Sequence, residues 1–138
     1  AKNADAFEEH YLKKIKQNMD LKIVCITNKK KFSSREQHIQ YEGSLLKNKI
    51  GNEKYICFDK QGEKVSSECF ANMIYNSNGN VNLIVGGAFG LADSVLESAS
   101  KIISFSDMEF SHEVFRVMLL EQVYRANCIF NHHPYHQR

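Results

Sequence analysis

Hydrophobic positions along this chain switch repeatedly between helical spacing and short apolar runs, which indicates helices alternating with strands. The predicted helices cover Phe7 to Ile15, Ser33 to Leu46, Ser66 to Ile74, Asp93 to Ser98 and Ser111 to Asn127. The predicted strands cover Leu21 to Ile26, Tyr55 to Phe58, Val81 to Val85 and Ile102 to Phe105. This alternation favours an α/β fold in one domain, with a parallel sheet covered by helices on both faces. In such sheets, ligands bind at the carboxyl ends of the strands.

Serine and glycine residues mark the predicted ends of several elements. Ser33 and Ser34 can cap the second helix, and Gly51 is a stop signal beyond it. The segment from Asp59 to Gly62 predicts a turn, so the second strand is expected to end immediately before it. A polar loop is predicted for Asn76 to Asn80.

The last predicted helix is apolar around most of its circumference. Its apolar residues are Val114, Phe115, Val117, Met118, Leu119, Leu120, Val123 and Tyr124. A helix of this kind needs burial on more than one face. In a chain of 138 residues, this pattern predicts a dimer interface.

Composition and charge exclude several classes of protein. The 43% hydrophobic and 25% charged residues are typical of a globular domain and not of a disordered chain. A net charge of +2 is too small to indicate nucleic-acid binding by itself. The basic run from Lys29 to Lys31, followed by Arg35, fits either phosphate contacts or a solvated loop.

Cysteine spacing and hydropathy bear on the compartment. The four cysteines are Cys25, Cys57, Cys69 and Cys128, and no C-x-x-C pair suggests zinc or a disulfide framework. The histidines near the end of the chain have no cysteine or carboxylate in ligand spacing, so no metal site is predicted. No segment has the length of a membrane-spanning helix, and the first residues lack the apolar core of a signal peptide. We therefore expect a soluble protein in a reducing compartment.

Three of the seven glycines, Gly86, Gly87 and Gly90, follow directly on the strand that ends at Val85. Backbone without side chains at the carboxyl end of a strand allows a ligand to approach closely. The pattern is neither the dinucleotide-binding G-x-G-x-x-G nor a P-loop. From these residues alone, a cofactor loop and a simple tight turn both fit.

Two further clusters carry polar and aromatic groups. The first runs from Phe105 to Phe110 and continues to His112 and Arg116; a loop with a helix cap is the alternative interpretation. The second is the tail from His132 to His136, which is rich in groups that hydrogen-bond or stack at neutral pH. A terminal tail normally frays, so this composition favours docking into a site, which is expected to be that of a second copy of the chain.

Together these clusters closely resemble one known family, the ribosomal large-subunit RNA methyltransferase H family. The motifs are LIVGGAFGL, SFSDMEFSHEVFRVMLLEQVYRA and NHHPYH, supported by REQHIQYEGSLL and ICFDKQGE. The resemblance runs from about Lys2 to the end of the chain. It implies a single SPOUT domain over residues 1–138, with a three-layer parallel-sheet fold and a C-terminal trefoil knot. It also implies a homodimer that uses S-adenosylmethionine to methylate N3 of a pseudouridine in large-subunit ribosomal RNA, presented on the ribosome.

The resemblance also implies two sets of site residues. The expected cofactor-binding residues are Phe58, Gly86, Gly87, Gly90, Phe105, Ser106, Asp107, Met108, Glu109 and Phe110. The candidate catalytic residues are His112, Arg116, Arg125, His133, Tyr135 and His136, with no metal required. Other roles remain open: core packing for the aromatic residues, an ion pair with Glu121 for Arg125, and a hydrogen bond at the helix start for His112.

The chain departs from the family pattern at several points. It begins almost inside the family's first helix, so the strand that precedes this helix is expected to be absent. Ala88 replaces a common proline, Asp107 a common lysine, and Ser111 a common proline. Two alternatives stay open. One is a SPOUT methyltransferase with another RNA target, because the cofactor motifs say less about the substrate than about the methyl donor. The other is a catalytically silent ribosome-binding homologue, which the changes at Asp107 and Ser111 would fit. The expected compartment is the bacterial cytoplasm, or an organelle with bacterial-type ribosomes.

Overall fold

Five helices and three strands form within residues 2–17, 19, 32–76, 81–86 and 90–136, which are the residues that the computed structural model describes. In chain order they are α1 (Lys2–Lys16), α2 (Arg35–Ile50), β1 (Tyr55–Lys64), α3 (Ser67–Tyr75), β2 (Asn82–Val85), α4 (Asp93–Glu97), β3 (Lys101–Ser104) and α5 (His112–Phe130). The predicted strand at residues 21–26, the basic run at 29–31 and the glycine at 87 lie outside the described residues.

Serine side chains begin three of the helices in the same way. Ser34, Ser66 and Ser111 each accept a hydrogen bond from the backbone N–H three residues later, at 3.2, 3.0 and 3.3 Å. Each bond satisfies one of the backbone N–H groups that lack partners at a helix start. Gly51 ends α2 with a φ of 65°, a conformation that favours glycine. The predicted cap and stop of the second helix are therefore confirmed, whereas α5 continues past its predicted end to Phe130.

The three strands form a parallel sheet, as predicted, and their order in it is β2-β1-β3. The first four residues of β1, Tyr55 to Phe58, are buried, in keeping with the apolar run that predicted this strand. Phe58 pairs with Val85 on one side and with Ile103 on the other. The ends of β2 and β3 therefore lie on either side of Phe58.

The predicted end of the second strand is wrong, because β1 continues to Lys64. Phe58 and Glu63 both pair with Ile103, so β3 does not advance while four residues of β1 pass it. This register shift is an enlarged bulge. The turn residues of this segment thus interrupt a strand and do not end it.

Two features of the bulge explain its composition. The Asp59 carboxylate accepts a hydrogen bond from the Gln61 backbone N–H at 3.0 Å, a local bond typical of turns. At Gly62, an added Cβ would lie 2.7 Å from backbone atoms of Ile102 and Ile103. Only glycine therefore allows this close approach to β3.

The chain divides into two compact units. The sheet unit comprises residues 24–64 and 80–108, with the three strands, α2 and α4. Its buried core consists of Tyr55, Cys57, Ile84, Ala92 and Val95, against which residues of α2 pack. The Tyr55 hydroxyl donates to the Val95 carbonyl at 2.6 Å, so this buried hydroxyl has a hydrogen-bond partner.

The helical unit comprises residues 1–23, 65–79 and 109–138, in which α1 and α3 pack against α5. Its buried side chains include Ile15, Phe70, Ile74, Leu120 and Val123. Burying an aliphatic or aromatic side chain of this size contributes about 1.5–3 kcal/mol. Apolar positions on more than one side of α5 therefore pack against other helices of the same unit.

Candidate functional site

The strand ends of the sheet unit bring together several predicted cofactor-binding residues. We call Phe58, Gly86 and residues 105–108 the strand-end site. Gly86 directly follows β2, and Phe105 directly follows β3. The rings of Phe58 and Phe105 meet edge to face, with 5.5 Å between their centroids. The site therefore has an apolar wall at the end of the sheet where ligands bind in parallel α/β folds.

Serine hydroxyls order the loop that follows β3. The Ser104 hydroxyl, which is buried, donates to the Ser106 carbonyl at 2.9 Å and accepts from the Ser106 N–H at 3.3 Å. The Ser106 hydroxyl in turn accepts from the Met108 N–H at 3.0 Å. These bonds fix the backbone of the loop before any ligand binds. Ser104 was not among the predicted site residues, although a serine at the end of an apolar strand is a visible signal for such a turn.

The glycines after β2 have different conformational needs. At Gly86, an added Cβ would lie 3.0 Å from the Gly90 carbonyl carbon and from Leu91 Cγ. Gly90 has a φ of 90°, which disfavours other residues. Gly86 and Gly90 thus each have a structural requirement of their own, whether or not a cofactor binds there.

The remaining residues of the loop after β3 have different surroundings. Asp107 forms an ion pair with Lys64 at 2.7 Å, and both side chains are exposed. Such surface pairs stabilise a fold by only about 0–1 kcal/mol. Met108 is 74% exposed, so its side chain is accessible to a ligand or a partner. Glu109 and Phe110, the last two predicted cofactor residues, belong to the helical unit.

The helical unit holds a second site, which we call the tail cluster: Glu68, Glu121, Arg125, Tyr135 and His136. Arg125 Nη2 donates to Glu121 Oε2 at 2.8 Å, and Arg125 Nε contacts Glu121 Oε1 at 3.4 Å. The ion pair considered as the alternative for Arg125 is therefore present. The same guanidinium also reaches the tail, because it lies 4.9 Å from the Tyr135 ring centroid and contacts His136.

Tyr135 is held in the tail cluster by its hydroxyl and by its ring. The hydroxyl donates to Glu121 Oε2 at 2.7 Å, and the ring packs edge to face on Tyr124 at 4.7 Å. Burial and the Glu121 carboxylate raise the pKa of Tyr135, and Glu121 raises the pKa of Arg125. Both groups therefore keep their protons near neutral pH. They can donate hydrogen bonds but cannot act as proton acceptors.

His136 connects α3 to α5. Its Nδ1 lies 3.0 Å from Arg125 Nη1, and its Nε2 lies 3.0 Å from Glu68 Oε2. The hydrogen bond with His136 lowers the pKa of Glu68, so this carboxylate is ionised. Glu68 was missed in the sequence, because an acidic residue in the first turn of a helix is common for reasons of the helix dipole alone.

The remaining predicted catalytic residues have separate surroundings. His133 Nδ1 accepts a hydrogen bond from the Tyr135 N–H at 3.1 Å. Arg116 forms an ion pair with Glu8 of α1 at 2.9 Å. His112 is exposed at the start of α5, where the helix-start hydrogen bond considered for it is made by Ser111. The structure thus groups Arg125, Tyr135 and His136 most closely.

Two further properties concern the described part of the chain. No three His, Cys, Asp or Glu side chains there form a group that could hold a metal ion. None of the helices there is both long and apolar enough to cross a membrane.

Comparisons with known proteins all match this chain to methyltransferases. The family described as "Predicted SPOUT methyltransferase" matches residues 1–136. A protein named Ribosomal RNA large subunit methyltransferase H from Clostridium botulinum (strain Loch Maree / Type A3) is 37% identical over 139 residues, covering 94% of this chain and 87% of the relative. A protein of the same name from Dictyoglomus thermophilum is 35% identical over 130 residues, covering 91% of this chain and 85% of the relative.

Proposed function

Because this chain belongs to the SPOUT methyltransferase family, we propose that it transfers a methyl group from S-adenosylmethionine to N3 of a pseudouridine in large-subunit ribosomal RNA. The similarity to proteins named for that RNA extends over 94% of the chain. The observation that carries the proposal is the tail cluster, where a cation, a phenol and an imidazole from the predicted catalytic set meet.

We assign S-adenosylmethionine to the strand-end site. Adenine requires an apolar slot with a few fixed polar groups. The Phe58–Phe105 ring pair and the serine-ordered loop backbone fit this requirement. Gly86, Gly87, Gly90 and residues 106–110 complete the proposed set. When bound, the cofactor supplies a methyl group on a sulfonium that is already activated as a leaving group.

The tail cluster would orient the target base and stabilise charge on it. The N3 proton of pseudouridine must leave as the nitrogen–carbon bond forms. Arg125 and the Tyr135 hydroxyl remain protonated, so they suit stabilisation of negative charge on the ring oxygens. The proton acceptor is then an imidazole, for which His112 and His133 are the candidates, because the ring nitrogens of His136 are engaged by Arg125 and Glu68. Stacking on Tyr135 would favour a base presented outside its helix.

We further propose a single methyltransferase domain with the trefoil knot of its family, acting as a homodimer in the bacterial cytoplasm. The helical unit exposes large apolar side chains on two helices that pack together, with Phe7 57% and Val114 50% exposed. Exposed apolar side chains of this size suit contact with a second copy. Light scattering at micromolar concentration tests the dimer, and a monomer that methylates ribosomes at full rate would contradict a shared site.

Methyl transfer from labelled cofactor tests the function. Intact ribosomes, isolated large subunits and protein-free RNA are compared side by side, and the modified nucleotide is mapped by mass. We expect label in large-subunit RNA on the assembled particle. Label in a different RNA would support the alternative SPOUT target. A chain that neither binds S-adenosylmethionine in calorimetric titration nor transfers label would be the silent ribosome-binding homologue.

A further inference from the structure

The hydrogen bonds of His136 define which of its nitrogens carries the proton. An arginine guanidinium only donates hydrogen bonds. The 3.0 Å contact from Arg125 Nη1 therefore requires a lone pair on His136 Nδ1. In a neutral imidazole the proton must then sit on Nε2, which faces Glu68 Oε2 at 3.0 Å. Glu68, a carboxylate, accepts this proton's hydrogen bond.

We propose that Glu68 is a positioning residue for methyl transfer: it holds His136 as the Nε2–H tautomer and thereby keeps the Nδ1 lone pair directed at Arg125. This inference rests on the proposed function, since His136 and Arg125 belong to the proposed transfer site. Glu68 itself is assigned no contact with substrate.

Glu68 suits this role because it lies on a helix that is fixed independently of the tail. Its neighbour Ser67 donates to Gln122 of α5 at 2.7 Å. At the other end of α3, the Tyr75 hydroxyl donates to Asn127 of α5, and the Tyr75 ring stacks on Phe130 at 4.0 Å. Side chains that orient a reacting group work best from such rigid elements.

Loss of Glu68 would affect the rest of the tail cluster through His136. Without the carboxylate, the imidazole can adopt the Nδ1–H tautomer, which directs an N–H at the guanidinium of Arg125. That arrangement removes the contact between them. Arg125 would keep its bonds to Glu121 but lose the group that ties it to the end of the tail, so alignment would suffer more than folding.

The test compares Glu68→Ala with Glu68→Gln, whose side-chain carbonyl can still accept from Nε2–H. Misplaced groups in an active site commonly cost on the order of 10- to 100-fold in rate. We expect Glu68→Ala to lower kcat for ribosome methylation by about 10-fold with an unchanged KM for S-adenosylmethionine, and Glu68→Gln to restore most of it. Glu36→Ala is the matched control, since Glu36 is likewise the second residue of a serine-capped helix. It removes the same charge near a helix start and should leave kcat unchanged.

Nitrogen-15 NMR of the histidine side chains provides a readout that is independent of activity. We expect His136 to be the Nε2–H tautomer in the wild-type protein and in Glu68→Gln, and a mixture of tautomers in Glu68→Ala. An unchanged tautomer in folded Glu68→Ala would overturn the proposal, as would equal loss of kcat in Glu68→Ala and Glu68→Gln. If the wild-type protein methylates no ribosomal RNA, the proposed function fails, while the tautomer change still supports the positioning of His136.

Discussion

The strand-end site and the tail cluster are ordered by different parts of the chain. At the strand-end site, backbone groups, two serine hydroxyls and a pair of phenyl rings set the geometry, and the charged pair Lys64–Asp107 is exposed. In the tail cluster, five long polar side chains from α3, α5 and the tail contact one another. The first site should therefore be sensitive to changes in backbone shape, and the second to the loss of single functional groups.

Removing the tail is the change whose effects on the two sites should differ most. Deletion of residues 135–138 should lower methyl transfer to ribosomes by about 1,000-fold, since orientation of the base and stabilisation of its charge by the Tyr135 hydroxyl are both lost. Affinity for S-adenosylmethionine should stay within about 2-fold, because the groups assigned to the cofactor lie elsewhere in the chain. Calorimetric titration and ribosome methylation on one preparation measure both quantities. A deletion of residues 137 and 138 alone, which keeps Tyr135 and His136, is the control.

The converse change is Gly86→Val at the strand-end site. The added side chain would meet Gly90 and Leu91, and relieving that crowding moves the backbone at the carboxyl end of β2. Strain of this kind commonly costs about 1–3 kcal/mol, so we expect the affinity for S-adenosylmethionine to fall by up to about 100-fold. Gly51→Ala serves as the control, because it strains a positive φ in the same unit but meets no atom within 4 Å. Equal losses of affinity in both variants would mean that lower stability, and not crowding at Gly86, is responsible.

The two sites also differ in how far the sequence could predict them. The family predicted from the motifs is confirmed by the match over residues 1–136. The parallel strands and the serine caps were also predictable, because the spacing of hydrophobic residues and the capping of helices are local properties of the sequence. The continuation of β1 was not, since the reason for Gly62 is its approach to β3, some forty positions away in the chain.

Contacts between distant residues were the main gap. The partner of His136 is Glu68, separated by 68 positions, and nothing near Glu68 in the sequence indicates that contact. For Arg125, by contrast, Glu121 was predictable from helical spacing alone. Side-chain networks assembled from several elements therefore depend on the fold and are not visible in local sequence patterns.

A smaller effect is expected from Ser104→Ala, which tests whether the serine-ordered loop matters for the cofactor. The substitution leaves both backbone polar groups of Ser106 without their buried partner. Unsatisfied groups of this kind cost about 1–3 kcal/mol, and we expect roughly 10-fold weaker binding of S-adenosylmethionine with a lower Tm. Ser100→Ala removes a serine bond to the Tyr55 carbonyl at the opposite end of β3. It should lower the Tm without changing the affinity.

The smallest predicted effect is a loss of stability at alkaline pH. It involves one group in the buried core of the sheet unit and one in the tail. Burial, reinforced by the charge of Asp59, raises the pKa of Cys57 from 9.0 to about 12. Above about pH 9 the unfolded chain therefore releases a proton that the folded protein retains, so stability falls as the pH rises through this range. Tyr135 acts in the same direction, but its ordinary pKa of 10.0 delays its contribution.

We therefore expect the Tm of the wild-type protein to fall by a few degrees between about pH 8 and pH 10, with the earlier part due to Cys57. Cys57→Ala should have a lower Tm at pH 8, because it leaves a small cavity, but a flatter dependence on pH. Tyr135→Phe should keep the early decline and lessen only the later part. Cys69→Ala, at a partly exposed cysteine of α3, is the matched control. Parallel curves for Cys57→Ala and the wild-type protein would show that the buried thiol does not couple folding to pH.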